Sequence, residues 1–130
     1  MSRHLNPPGL MESRPFFSQV VVAPAGTTVY VAGQTGLRVD RSIDPTKEGQ
    51  MKQAFANVRI ALEAAGARMD QVVSMTIHIV DYSEADLEPL ARLTAASFPP
   101  DRLPASTLVP VPRLARDGLL FEMTVTAVIP

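Results

Sequence analysis

A chain of 130 residues that is 46% hydrophobic has the length of one domain and enough apolar side chains for a core. Its formal charge of −1 leaves no basic excess to neutralise phosphates, which argues against a general nucleic-acid or anionic-membrane binder. Cysteine is absent, which excludes disulfides, thiol catalysis and thiolate-bound metal.

Residues 1–14 include Pro7, Pro8 and Gly9 and no periodic apolar pattern, so an irregular lead-in to a single domain over residues 15–130 is expected. The opening stretch lacks the apolar segment of a secretory signal. No run reaches the roughly 18 to 20 apolar residues of a membrane helix, so a cytoplasmic protein without a membrane partner is expected.

Residues 19–23 and 27–33 read as two strands, and Pro24-Ala25-Gly26 between them supplies a turn, so a hairpin is predicted. In the second strand Val29 and Val31 face one way and Thr28, Tyr30 and Ala32 the other. Gly33-Gln34-Thr35-Gly36 ends it, and a glycine there admits close approach by another chain or a ligand.

Residues 45–66 predict the clearest helix. Met51, Ala54, Phe55, Val58, Ala61, Leu62 and Ala65 recur on one face, with Asp44 as cap, Pro45 in the first turn and Gly66 at the left-handed exit. Residues 71–80 follow as a strand with Val73, Met75, Ile77 and Ile79 on one face. A second helix begins near Ser83, where Ser83-x-x-Asp86 resembles a capping box. Leu87, Leu90, Ala91, Thr94 and Phe98 form its core stripe, and Pro99-Pro100 stop it. Residues 103–111 and 119–128 read as the last two strands.

The order β-β-α-β-α-β-β predicts a single-domain α+β fold, one sheet with two helices on one face. The other face would be bare. Val72, Val80, Leu108, Leu120 and Val128 are apolar residues assigned to the outer registers, so its burial by further copies of the chain is expected.

Glu122 stands on the strand register Leu120, Glu122, Thr124, Thr126, Val128. Buried without partners, such a carboxylate would be costly and its pKa would rise toward the range useful for proton transfer. The alternative is a rim glutamate, exposed or paired with Arg113 or Arg116. His78 reads as a strand-face residue rather than a ligand, and no His/Asp/Glu group has metal-ligand spacing. Gly33-x-x-Gly36 lacks the lysine of a phosphate loop, and Ser106-Thr107 has no evident histidine base, so no cofactor and no metal are expected.

Several segments together resemble the Rid (YjgF) family of imine and enamine deaminases, also called endoribonuclease L-PSP. Phe17-Ser18-Gln19 is similar to the family's tyrosine-serine-glutamine entry strand, and Val31-Ala32-Gly33-Gln34 to its glycine-glutamine turn. Asn57 to Ala64-Ala65-Gly66 resembles its first helix, and Val111-Pro112-Arg113-Leu114 leads to the last-strand glutamate, Glu122. The resemblance implies a chorismate-mutase-like fold and a homotrimer whose sheets form a central barrel, with small-molecule clefts between subunits.

It further implies Glu122 as the catalytic group that positions a water against an imine carbon. The substrate-binding positions that it implies include Phe17, Gly33, Ser106 and Leu108. In deaminating members an arginine clamps the substrate carboxylate, and Ser106 occupies its place. One neutral hydroxyl does not replace a bidentate, charged guanidinium. Phe17 replaces the family's tyrosine and Ala32 its frequent serine, so the cleft is expected to favour a less anionic, more apolar ligand. Arg14 and Arg102 are the candidates to restore the charge; the alternative for both is a solvated surface arginine. Two functions follow, a hydrolase or deaminase of imines or enamines, or a trimer that binds a small molecule without turning it over. Ribonuclease activity, attached to some family members, is disfavoured by the lack of a basic surface and the few aromatics.

Overall fold

A computed structural model describes residues 1–130. Its elements are β1 (Arg3–Leu5), β2 (Val20–Val22), β3 (Thr27–Thr35), α1 (Lys47–Ala64), β4 (Val72–Val80), α2 (Leu87–Ser97), β5 (Ala105–Val111) and β6 (Phe121–Ile129). The main sheet has the order β3-β6-β4-β5, antiparallel except for the parallel β4–β5 pair that α2 connects. Both helices cover one face, giving the expected α+β domain. No helix is both long and apolar enough to cross a membrane.

The core lies between that face and the helices. Met51, Ala54, Phe55, Val58 and Leu62 of α1 pack on Ile77, Ile79, Phe121, Met123 and Val125, all buried. Phe55 and Phe121 stack with ring centroids 6.4 Å apart. Ala65 is exposed rather than part of this stripe, because the helix has already ended there. Gly66 follows with φ of 78°, the left-handed exit predicted for it.

The α1 entry differs by two residues from the sequence reading. Thr46 is the cap, its Oγ1 accepting from the Gly49 N–H at 3.0 Å. Asp44 instead accepts from the Thr46 N–H (2.8 Å) and Oγ1–H (2.6 Å), one step upstream. The predicted capping box forms one turn earlier than α2, at a 3-10 turn over Glu84–Asp86 that leads into it, with the Ser83 N–H donating to Asp86 Oδ2 at 3.2 Å.

The predicted β2–β3 hairpin does not form. β2 pairs antiparallel with β1, in the segment expected to be irregular, and the two make a separate ribbon beside β5. Polar groups account for this route. The Ser18 N–H donates to the Pro104 carbonyl (3.0 Å), the Gln19 N–H to Asn6 Oδ1 (3.0 Å), and His4 Nδ1 meets the Leu103 carbonyl at 2.7 Å. These bonds hold the entry strand at the β5 side of the sheet while β3 joins the opposite edge. Gly26 makes the connection fit, since a β carbon there would collide with the Ile129 carbonyl.

Two outer-register assignments also change. The β4–β6 pairing shifts between Val72 and Ser74, so Val72 rather than Val73 is buried in the core. Leu108 pairs with the core residue Ile77 and faces the helices, not the bare side.

Candidate functional site

The residues singled out from the sequence fall into two groups on opposite sides of the sheet. On the helix side, a cavity of about 420 Å³ opens between β5, α2 and the N-terminal segment. Phe17, Tyr82, Leu87, Thr94, Ser106 and Leu108 are among its walls, and most of the lining is hydrophobic. Ser106 reaches it because β5 runs parallel to β4 with Ser106 opposite buried Met75. Phe17 is fixed beside it by buried Ser13, whose Oγ–H donates to the Phe17 carbonyl at 2.6 Å. The Ser18–Ala105 bridge holds the same strand against β5.

Within this apolar wall Thr94 Oγ1 has no hydrogen-bond partner, although the residue is only 1% exposed. A buried hydroxyl left unpaired is unfavourable, so a bound polar atom would relieve it. The sequence placed Thr94 on the core stripe. What the pattern could not show is that its hydroxyl would be stranded at a cavity.

On the bare side, Glu122 lies directly opposite His78 in the β4–β6 register, with Oε1 3.5 Å from the imidazole Nδ1. Their side chains are 25% and 29% exposed, open enough to meet water or a ligand. Gly33 sits in the irregular stretch of β3 between Val31 and Gln34, against this carboxylate. A β carbon at position 33 would fall 2.7 Å from Glu122 Cδ, so the backbone yields the space that the carboxylate fills. The ionisable side chain facing Glu122 is thus a histidine, while Arg113 is engaged by Asp117 at 2.8 Å.

Neither candidate arginine stands in the cavity. Arg14 forms a two-point pair with Glu12, at 2.6 and 3.0 Å, on the surface. That pairing holds the Glu12 carboxyl down to about 2. Arg102 is half-buried, not a solvated surface residue. Its Nη2 donates to Ser2 Oγ at 3.0 Å and reaches the Asp70 carbonyl at 3.5 Å, tying down the N-terminus. Phe17, Ser106 and Leu108 are thus brought together, and so are Gly33 and Glu122. Within one chain the sheet separates the two sets.

Residues 11–129 match the endoribonuclease L-PSP family. The chain is 33% identical over 106 residues to the RutC family protein YjgH of Escherichia coli, covering 82% of this chain and 79% of that protein. It is 34% identical over 70 residues, about half of each chain, to a 2-iminobutanoate/2-iminopropanoate deaminase of Dermatophagoides farinae. Among solved structures, the Rid family protein YyfB of Yersinia pestis, a protein of unknown function, superposes with a TM-score of 0.93 at 29% identity, covering 98% of both chains. A match spanning nearly the whole domain, together with the shared fold, establishes that this chain belongs to the endoribonuclease L-PSP, or Rid, family.

Proposed function

We propose that the protein is a Rid-like hydrolase of imines, enamines or related carbonyl-derived metabolites, acting in the cytoplasm at clefts between subunits of a homotrimer. The observation that carries this reading is the Glu122 carboxylate held against Gly33 on a sheet face that nothing in the chain covers. Tyr30 on the same face is 81% exposed, as a surface awaiting a second copy would be. Packing that face against a neighbour's β5 edge would bring Glu122 of one subunit to the Phe17–Ser106 cavity of another.

In such a cleft Glu122 accepts a proton from water as the oxygen attacks the imine carbon. Collapse of the resulting carbinolamine leaves a carbonyl compound and ammonia. The Dermatophagoides deaminase is named for 2-imino acids, which carry a carboxylate. Here Ser106 and Phe17 offer no cation for that group, and the cavity is walled by apolar side chains. The substrate class that fits is a neutral imine with an apolar body.

A second reading, a trimer that binds a small molecule without turning it over, draws on the same apolar lining. Light scattering of the purified protein tests the assembly. Ammonia release from freshly generated neutral imines and from 2-imino acids, by wild type and Glu122→Gln, tests the chemistry. Turnover of neutral imines lost in Glu122→Gln is the expected result. Fast, Glu122-dependent hydrolysis of 2-imino acids would overturn the substrate assignment, and binding without any turnover would favour the second reading. A Ser106→Arg variant should shift preference toward 2-imino acids.

A further inference from the structure

We infer that His78 and Glu122 act as one acid–base pair, in which His78 protonates the imine nitrogen while Glu122 takes the proton of the attacking water. The inference rests on the hydrolase reading above and adds to it the missing proton donor. The register places the two residues directly across from each other on antiparallel strands, on the same face, where cross-strand side chains meet. Their closest atoms, Nδ1 and Oε1, are 3.5 Å apart, within reach of an ion pair. Nδ1 is closed off from solvent and faces the Glu122 carboxylate, so Nε2 is the ring nitrogen left to give its proton to the imine.

Within the sheet the pair has no charged neighbour. Of the four strands, β5 carries no ionisable side chain and β4 and β6 carry only His78 and Glu122. On β3 the one such group is Tyr30, which pairs with Thr126, four residues along β6 from Glu122. Histidine is also the side chain whose protonation changes near neutral pH, as a general acid requires.

The proton inventory closes. As the water oxygen bonds to carbon, its proton passes to Glu122, the C=N electron pair moves to nitrogen, and nitrogen takes the proton of imidazolium His78. In the second half Glu122 returns its proton to nitrogen while His78 removes the carbinol proton. The C–N bond then breaks with its electron pair on departing ammonia. Imine and water have become carbonyl and ammonia, and both side chains regain their starting forms. An internal donor of this kind suits a neutral substrate, which brings no carboxylate for an arginine to hold.

The experiment combines a spectroscopic and a kinetic readout on the full-length protein. Only His4 and His78 contribute imidazole signals, so His78→Gln assigns them. Nitrogen-15 NMR of the neutral ring should show the Nδ1–H tautomer dominant at His78, with the proton directed at Glu122. Glu122→Gln should move the population toward Nε2–H. In turnover of a neutral imine, His78→Gln should lose roughly 100-fold in kcat and flatten the alkaline limb of the pH profile, with the melting temperature of the protein little changed.

Identical tautomer populations in wild type and Glu122→Gln would overturn the pairing. Turnover abolished by Glu122→Gln but unaltered in rate and pH profile by His78→Gln would overturn the role of His78 and leave the hydrolase reading standing. No turnover by wild type would defeat the hydrolase reading and the catalytic role of His78 together, while the tautomer result would still decide the pairing.

Discussion

Gly33 touches Glu122 backbone to carboxylate, with no room between them for a methyl group. Gly33→Ala should therefore displace the carboxylate while leaving the fold intact, because the clashing atoms belong to the end of a flexible, partly exposed side chain. A displacement of about 1 Å at a reacting group costs on the order of 100-fold in rate. We expect kcat/KM for a neutral imine to fall by about that factor with an unchanged melting temperature. Steady-state kinetics beside thermal denaturation check both halves.

Thr94 sets stability against binding. Its hydroxyl is buried and unpaired beside the apolar cavity, and Thr94→Val keeps the shape while removing the orphaned group. An unsatisfied buried polar group costs about 1–3 kcal/mol, so the variant should be more stable by roughly 1 kcal/mol in urea unfolding. If the hydroxyl serves a ligand, affinity should fall by about tenfold, close to the value of one neutral hydrogen bond. Calorimetric titration with a neutral carbonyl compound of apolar body measures it.

How much of this was legible beforehand differs by residue. Period-3.6 and period-2 patterns located both helices and the main strands, because Met51, Phe55 and Val58 or Met75, Ile77 and Ile79 must share a buried face. Pairing between distant strands carries no such local signal. The sequence therefore could not show that His78 lies opposite Glu122, or that β2 joins β1 instead of β3. Leu108 and Val72 depart from the outer registers for a related reason: strand alternation gives two faces but not which one the helices cover, and a register shift exchanges them locally. Glu122, Gly33, Ser106 and Phe17 came from family resemblance, since their spacing alone describes only strands and a turn.

Gln50 is a buried polar residue that periodicity passed over, and it joins α1 to the segment leading into β6. Its Nε2 donates to the Asp44 carbonyl (3.1 Å) and the Gly118 carbonyl (2.9 Å), while its Oε1 accepts from the Leu120 N–H at 2.7 Å. The side chain is fully satisfied at 1% exposure. Gln50→Ala would strand three backbone groups and leave a void, so a loss of about 3 kcal/mol is expected. Chemical denaturation should show it, and because this segment leads into the strand bearing Glu122, binding should weaken as well.

Asp44 gives the protein a pH-dependent element away from Glu122. Its carboxylate accepts from the Thr46 hydroxyl and N–H, and these bonds, the hydroxyl's above all, hold its pKa below the usual carboxylate value, with Arg38 3.7 Å away adding a smaller pull. A group depressed in the folded state binds protons more readily once unfolded, where its pKa is about 3.9. The stabilisation is thus fully present above that value and is lost as pH falls through the lower folded pKa. Asp44→Asn keeps a neutral acceptor and removes the charge. Wild type should exceed it in melting temperature at pH 7, and the gap should close as the solution is acidified below pH 4. A gap that stays constant across that range would show that Thr46 caps α1 without help from the ionised carboxylate.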